Sequence, residues 1–191
     1  MPSGSFQRWS KTRAAELDRL EVAHAAVGGS GRGRRWATHQ VNQAYVVLLS
    51  SHFQGFCRDL HSESADRLVS AAAPAIIRSV LRAQFMVGRR LDRGNPDPVN
   101  IGSDYDRLGL SFWSDVKLDD ARNGKRKVVL ETLRAWRNAI AHQDFDPTKL
   151  VPSTLTLPTI RRWRSACNAL AGSFDRVLSR HLERLTGTPP W

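Results

Sequence analysis

Between positions 133 and 142 the chain reads Leu-Arg-Ala-Trp-Arg-Asn-Ala-Ile-Ala-His, which places Arg137, Asn138 and His142 within one and a half helical turns. Those are side chains that can cleave an RNA phosphodiester without a metal. The 2′-hydroxyl attacks the adjacent phosphorus, so a proton must move and charge builds on the phosphoryl oxygens. Histidine titrates nearest neutral pH and can serve as base or acid. Arginine offers paired donors to phosphate oxygens and stabilises the developing charge. Asn138 can orient either group or a phosphate oxygen. His142 at a helix C-terminus sits at the negative end of the dipole, which suits an acid or a phosphate clamp.

The spacing alone carries little. Arg-x4-His occurs four times, at Arg19/His24, Arg34/His39, Arg137/His142 and Arg176/His181. Context singles out the third: Asn follows the arginine, small residues precede the histidine, and Asp144-Phe-Asp-Pro147 comes after it. On a wheel of about 100° per residue, Val129, Leu133, Trp136 and Ile140 form a core-facing arc. Arg134, Asn138 and His142 fall opposite it, with Arg137 and Ala141 on the flank. Leu130 shares that outer flank, as a packed seam against a second copy of the chain would need.

The elements that must position this stretch are helical nearly throughout, and strand signals are almost absent. The pattern predicts a first helix over 6–27, a Gly-rich turn at 28–33 and a long second helix from 35 to beyond 61, reaching 72 at its longest. The last carries Val41, Tyr45, Leu48, Leu49, Phe53, Phe56 and Leu60 as a core stripe. Pro74 fits the first turn of a third helix ending near 93. Residues 95–111 read as a long loop with a short piece around Phe112-Trp113 after it. A fourth helix spans about 122 to 142, limited by Pro147, and a last one about 159 to 185, with a loose tail after it. The expected architecture is all-α: an up-and-down helical bundle over 35–185 with an additional N-terminal helix in 1–34, all in one domain of 191 residues.

Charge points outward to a partner. There are 29 Lys plus Arg against 18 Asp plus Glu, a formal net charge of +11. Nearly all of the positive charge is arginine, whose planar fork suits phosphate. RNA fits such a balance, and so does an acidic antitoxin protein; a GC-rich genome that writes Arg for Lys is the bland account. Cys57 and Cys167 make neither a metal spacing nor a disulfide framework, so a reducing compartment is expected. With no signal-peptide core near the start and no apolar run long enough to span a bilayer, the expected location is cytoplasmic, away from membranes.

The stretch from Arg137 to His142 resembles the signature of the HEPN superfamily, helical bundles that dimerise through a helix bearing an Arg, a polar residue, a short spacer and a His. The upstream segment from Ala44 to His61 is similar to the corresponding helix of branches linked to prokaryotic RNA restriction. The resemblance spans about 35–181 and implies a homodimer whose active members are metal-independent endoribonucleases needing no cofactor, among them toxins and antiphage effectors. It implies catalytic roles for Arg137, Asn138 and His142. Where related toxins often carry a tyrosine two residues after the histidine, this chain has Asp144, which departs from control by tyrosine modification.

Other clusters compete for a role. From Arg122 to Arg137 there are six basic residues and one acidic one, Glu131. Lys125, Arg126, Lys127 and Arg134 of that run are candidate RNA contacts. Arg161, Arg162, Arg164, Arg176, Arg180 and Arg184 stripe the last helix, and Trp113 or Trp163 could stack on unpaired bases. His52, Asp59 and Glu63 share a helix face, but without a second cluster no metal site is expected; Asp59 or His61 could instead support the Arg137/His142 site. Two readings outside catalysis stay open: a silent module that binds RNA or nucleotides, and a dimerisation scaffold.

Overall fold

The computed structural model describes residues 1–28 and 35–191, and among these there is helix and no strand. In chain order the helices are α1 (Gly4–Arg8), α2 (Ala14–Val27), α3 (Arg35–Ala72), α4 (Arg78–Met86), α5 (Pro98–Asp106), α6 (Phe112–Asp119), α7 (Asn123–His142) and α8 (Leu157–Thr186). The three longest, α3, α7 and α8, pack pairwise into the frame, with α1 and α2 laid along α3. The all-α bundle expected from periodicity is the fold observed. The Gly-rich turn falls on residues that, Gly28 apart, lie outside those described.

The frame forms because each long helix has one wide apolar face. From α3, Tyr45, Leu49, Phe53, Phe56 and Leu60 are fully buried; from α8, Ile160, Cys167, Leu170, Phe174 and Leu178 meet them. Phe174 is the hub of an aromatic cluster: Tyr105 stacks on Phe112 at 4.3 Å, and Phe112 meets Phe174 edge-on at 4.8 Å. Asn123 joins three helices, its Nδ2 donating to the Val116 carbonyl and to Ser173 Oγ, at 2.8 and 2.9 Å. That contact fixes where α7 begins.

Several sequence expectations need correction. Residues 95–111 are not a structureless loop but contain α5. Asp97 caps it by accepting from Asn100 N at 2.8 Å, Pro98 occupies its first turn, and Ile101 and Tyr105 bury one face. The predicted third helix is three pieces: a 3-10 turn (Ala75–Ile77), α4, and a second 3-10 turn (Arg90–Asp92) beyond Gly88, which takes the left-handed conformation at φ 72°. The first helix starts at Gly4 and contains a π-helical stretch (Trp9–Arg13) that seats Trp9 in the core. Pro158 lies inside the first turn of α8 rather than before it. At the C-terminal tail, Pro190 is buried and Trp191 packs against the core, with the Met1 amine donating to its carbonyl.

Leu130 is the correction that bears on the site. It is 1% exposed, in the protomer's own core, and cannot line a seam with a second copy. The buried arc of α7 is Leu130, Leu133, Trp136 and Ala139, shifted from the arc expected, because α3 and α8 both pack against it.

Candidate active site

α7 delivers the Arg-Asn-x3-His stretch at its C-terminal end. The helix stops at His142 because Gln143 takes a left-handed conformation, φ 55°, and both Gln143 N and Asp144 N donate to the Ala139 carbonyl. Gln143 Nε2 closes the Ile140 carbonyl at 2.7 Å. The chain then turns back so that Phe145 lies against Trp136, ring centroids 6.5 Å apart. This leaves His142 exposed on the last turn, with Arg134 exposed and Asn138 half-buried on the same face.

Arg137 is half-buried, and among the described residues it has no carboxylate partner. Its Nη1 donates to Asn138 Oδ1 at 3.3 Å. The other half-buried arginines among the described residues each hold a carboxylate: Arg13 reaches Asp59, Arg89 reaches Asp92, Arg126 reaches Asp120, and Arg164 reaches Asp18 and Glu21. A half-buried guanidinium left with only an amide neighbour keeps N–H donors that no carboxylate of the chain takes up. Arg137 and His142 do not touch within the protomer. Five residues of helix separate their backbone positions by about 140° around the axis and about 7.5 Å along it.

Asn138 Oδ1 also accepts from Asn95 Nδ2, at 2.8 Å. Asn95 stands in the turn before α5, and sequence reasoning missed it. Its only sequence signal is the Gly94-Asn95-Pro96-Asp97 turn chemistry, which says nothing of α7, 43 residues away. The turn is strapped down from α3, where Gln54 Nε2 donates to the Leu91 and Gly94 carbonyls, both at 2.7 Å. The buried Asp104 carboxylate accepts from Arg90 N and Leu91 N, each at 2.8 Å.

The other candidates scatter. Asp59 holds Arg13 at 2.8 Å and has Arg8 at 3.7 Å, on the side of the bundle where α1 lies. His61 is fully buried; its Nε2 donates to the Asp104 carbonyl at 3.1 Å, and its ring meets Tyr105 edge-on. Burial, reinforced by the Arg89 cation, pushes its pKa down to about 4, so it stays neutral. Neither Asp59 nor His61 bonds to Arg137 or His142, so neither supports that pair. The three residues considered as metal ligands separate too. His52 lies 2.8 Å from the Glu16 carboxylate, Asp59 binds Arg13, and Glu63 accepts from Gly4 N and Ser5.

The basic run does not form one stripe. Lys125 is exposed on a different face from Arg134, Arg126 is tied to Asp120 and Asn123, and Lys127 lies over the Trp113 ring at 5.0 Å. On α8, Arg161 and Arg164 are drawn to Glu21, and Asp119, held by two arginines, has its carboxyl lowered to about 2 against the opposing effect of burial. Trp163 is 5% exposed, and Trp113 packs edge-on against Phe112 and Phe174 while its Nε1 donates to the Pro98 carbonyl. Neither tryptophan is free to stack on a base.

Comparison with protein families gives a match to one described as RiboL-PSP-HEPN, over residues 37–180. That span runs from the start of α3 to near the end of α8 and includes the whole of α7 and the turn that carries Asn95. No curated protein and no solved structure matches the chain. No helix among the described residues is long and apolar enough to cross a membrane.

Proposed function

Since this chain belongs to the RiboL-PSP-HEPN family, we propose that it is a metal-independent endoribonuclease acting as a homodimer, in the role of a toxin or antiphage effector. The observation that carries the reading is Arg137: half-buried, without a carboxylate, and bonded only to Asn138 among the described residues. Arg137 stabilises the charge that builds on the phosphoryl oxygens, His142 moves the proton, and Asn138 orients the pair. Two copies facing across a two-fold axis through α7 supply one histidine to take the 2′-hydroxyl proton and the other to protonate the departing 5′-oxygen. The bond from the 2′-oxygen to phosphorus forms as the bond to the 5′-oxygen breaks, leaving a 2′,3′-cyclic phosphate. The separation of Arg137 from His142 within one protomer supports a composite site. Arg134, on the same exposed face as Asn138 and His142, is the nearest of the basic residues proposed to track RNA.

The deciding experiment is incubation of the purified protein, and of His142→Ala, with labelled total RNA in EDTA. Cleavage by the first alone, leaving cyclic or 3′-phosphate ends, is the expected result. A requirement for magnesium would remove the mechanism. A folded dimer that binds RNA in a salt-dependent way without cutting it would favour the binding module, and one that does neither would favour the scaffold.

A further inference from the structure

The hydrogen bonds around Asn138 fix more than its position. A guanidinium can only donate, so the atom facing Arg137 Nη1 must be the amide oxygen of Asn138. The same oxygen faces Asn95, whose contributing atom must therefore be its NH2, at 2.8 Å. With both donors on Oδ1, the Asn138 NH2 is turned away from them and makes no bond within the chain among the described residues. Asn95 is itself immobilised: its carbonyl accepts from Asn100 Nδ2 at 3.0 Å, and that side chain is clamped in turn by Asp97. Gly94 packs closely on the same Asn100 side chain, where a Cβ would lie 2.6 Å from Nδ2. Pro96, on the other side of Asn95, is buried.

We infer that Asn95 is a positioning residue that locks the Asn138 amide with its NH2 outward, so that Arg137, Asn138 and His142 present a set of donors to a phosphodiester. The inference rests on the reading of α7 as the RNA-facing surface, and it adds a member from a different element. Asn95 reaches the anion only through Asn138. A free asparagine offers oxygen or nitrogen with little preference, and an outward oxygen would repel a phosphate. Asn95 and Arg137 together remove that choice before the ligand arrives, which lowers the ordering cost of binding.

The test uses a 2′-O-methyl RNA hexanucleotide, which cannot be cut, titrated into the full-length protein with the Asn138 side-chain NH2 followed by ¹⁵N NMR. That signal should move on binding in the wild type. Asn95→Asp replaces the donor by a carboxylate that can only accept; it should flip the Asn138 amide, attract Arg137 and weaken binding by about tenfold or more through like-charge repulsion of the phosphate. Asn95→Ala should weaken binding by less, with melting temperatures showing that all variants fold. Asn95→Ala added to Asn138→Ala should bring no further loss, because the first residue acts only through the second. Unchanged affinity in Asn95→Asp, additive losses in the double variant, or no binding by the wild type would each overturn the inference. Binding with these dependences, but no cleavage of the matching unmodified RNA, would sink the endoribonuclease reading and leave the cradle standing.

Discussion

Arg137 and His142 belong to one helix yet make no contact with each other, and their substitutions should behave alike for that reason. Arg137→Ala removes the half-buried donor fork of the proposed site; His142→Ala removes its proposed proton carrier. Each should lower single-turnover cleavage by on the order of a hundredfold or more, in the range set by other transition-state donors and acid–base groups. Neither should shift the melting temperature appreciably: His142 is exposed, and Arg137 has no ion pair to lose among the described residues. Arg137→Lys should recover only part of the loss, since an ammonium cannot present the paired donors. If both alanine variants unfold, the residues are structural and the mechanism fails.

The helices depend on a few buried polar pins, and one of them is sensitive to pH. His61 on α3 grips the end of α5 through the Asp104 carbonyl, and α5 in turn anchors the turn that holds Asn95. The folded protein binds the His61 proton only near pH 4, whereas an unfolded histidine binds it near 6.5. The unfolded state therefore takes up the proton first as pH falls. Stability from this group is full above pH 6.5 and is lost between there and pH 4, by up to roughly 3 kcal/mol. Denaturant melts at pH 7.5 and 4.5 should show that difference, and His61→Gln, which keeps a donor for Asp104, should flatten it; an equal slope in both proteins would contradict the assignment. Leu130 makes a complementary case on α7. Its truncation to Ala should cost about 2–5 kcal/mol of protomer stability. Because it is buried within the protomer, sedimentation of a still-folded Leu130→Ala should show unaltered association, and a selective loss of the dimer would restore the seam role expected from the helical wheel.

At the scale of the whole molecule the charge is less available than its sum suggests. The net charge is +11, but four arginines of α8 are spent on Asp18, Glu21 and Asp119. These pairs hold α8 to α2 and α6 and are not a track for phosphate. RNA affinity should therefore fall with salt according to a small number of phosphate contacts, each contributing a slope of roughly −0.7 for a single strand. Arg134→Ala should reduce that slope, while Arg176→Ala and Arg180→Ala should leave it unchanged; the reverse pattern would move the RNA to α8. The dimer is exposed to a separate check, since a monomer at micromolar concentration in sedimentation would leave no composite site.

Local periodicity and local chemistry belong to the sequence alone. The core stripe of α3, the extent of α7 and its polar end, and the all-α class are properties of neighbours along the chain, so they are legible without the fold. The same is true of Arg137, Asn138 and His142 as candidates, because their spacing and context lie within one helix. The helix over Pro98–Asp106 is legible in principle from Asp97-Pro98 and from Ile101 and Tyr105 at i and i+4. It is obscured because residues typical of loops are also the residues that start helices. Which flank of α7 turns inward is a matter of tertiary packing, because it depends on how many neighbours press on the helix; Leu130 goes to the core because both α3 and α8 pack there. Packing also spends arginines on carboxylates remote in sequence and leaves Arg137 without one. Asn95 meets Asn138 for the same reason, since a hydrogen bond across 43 residues is set by how α3, α5 and α7 come together and by nothing in the spacing of the chain.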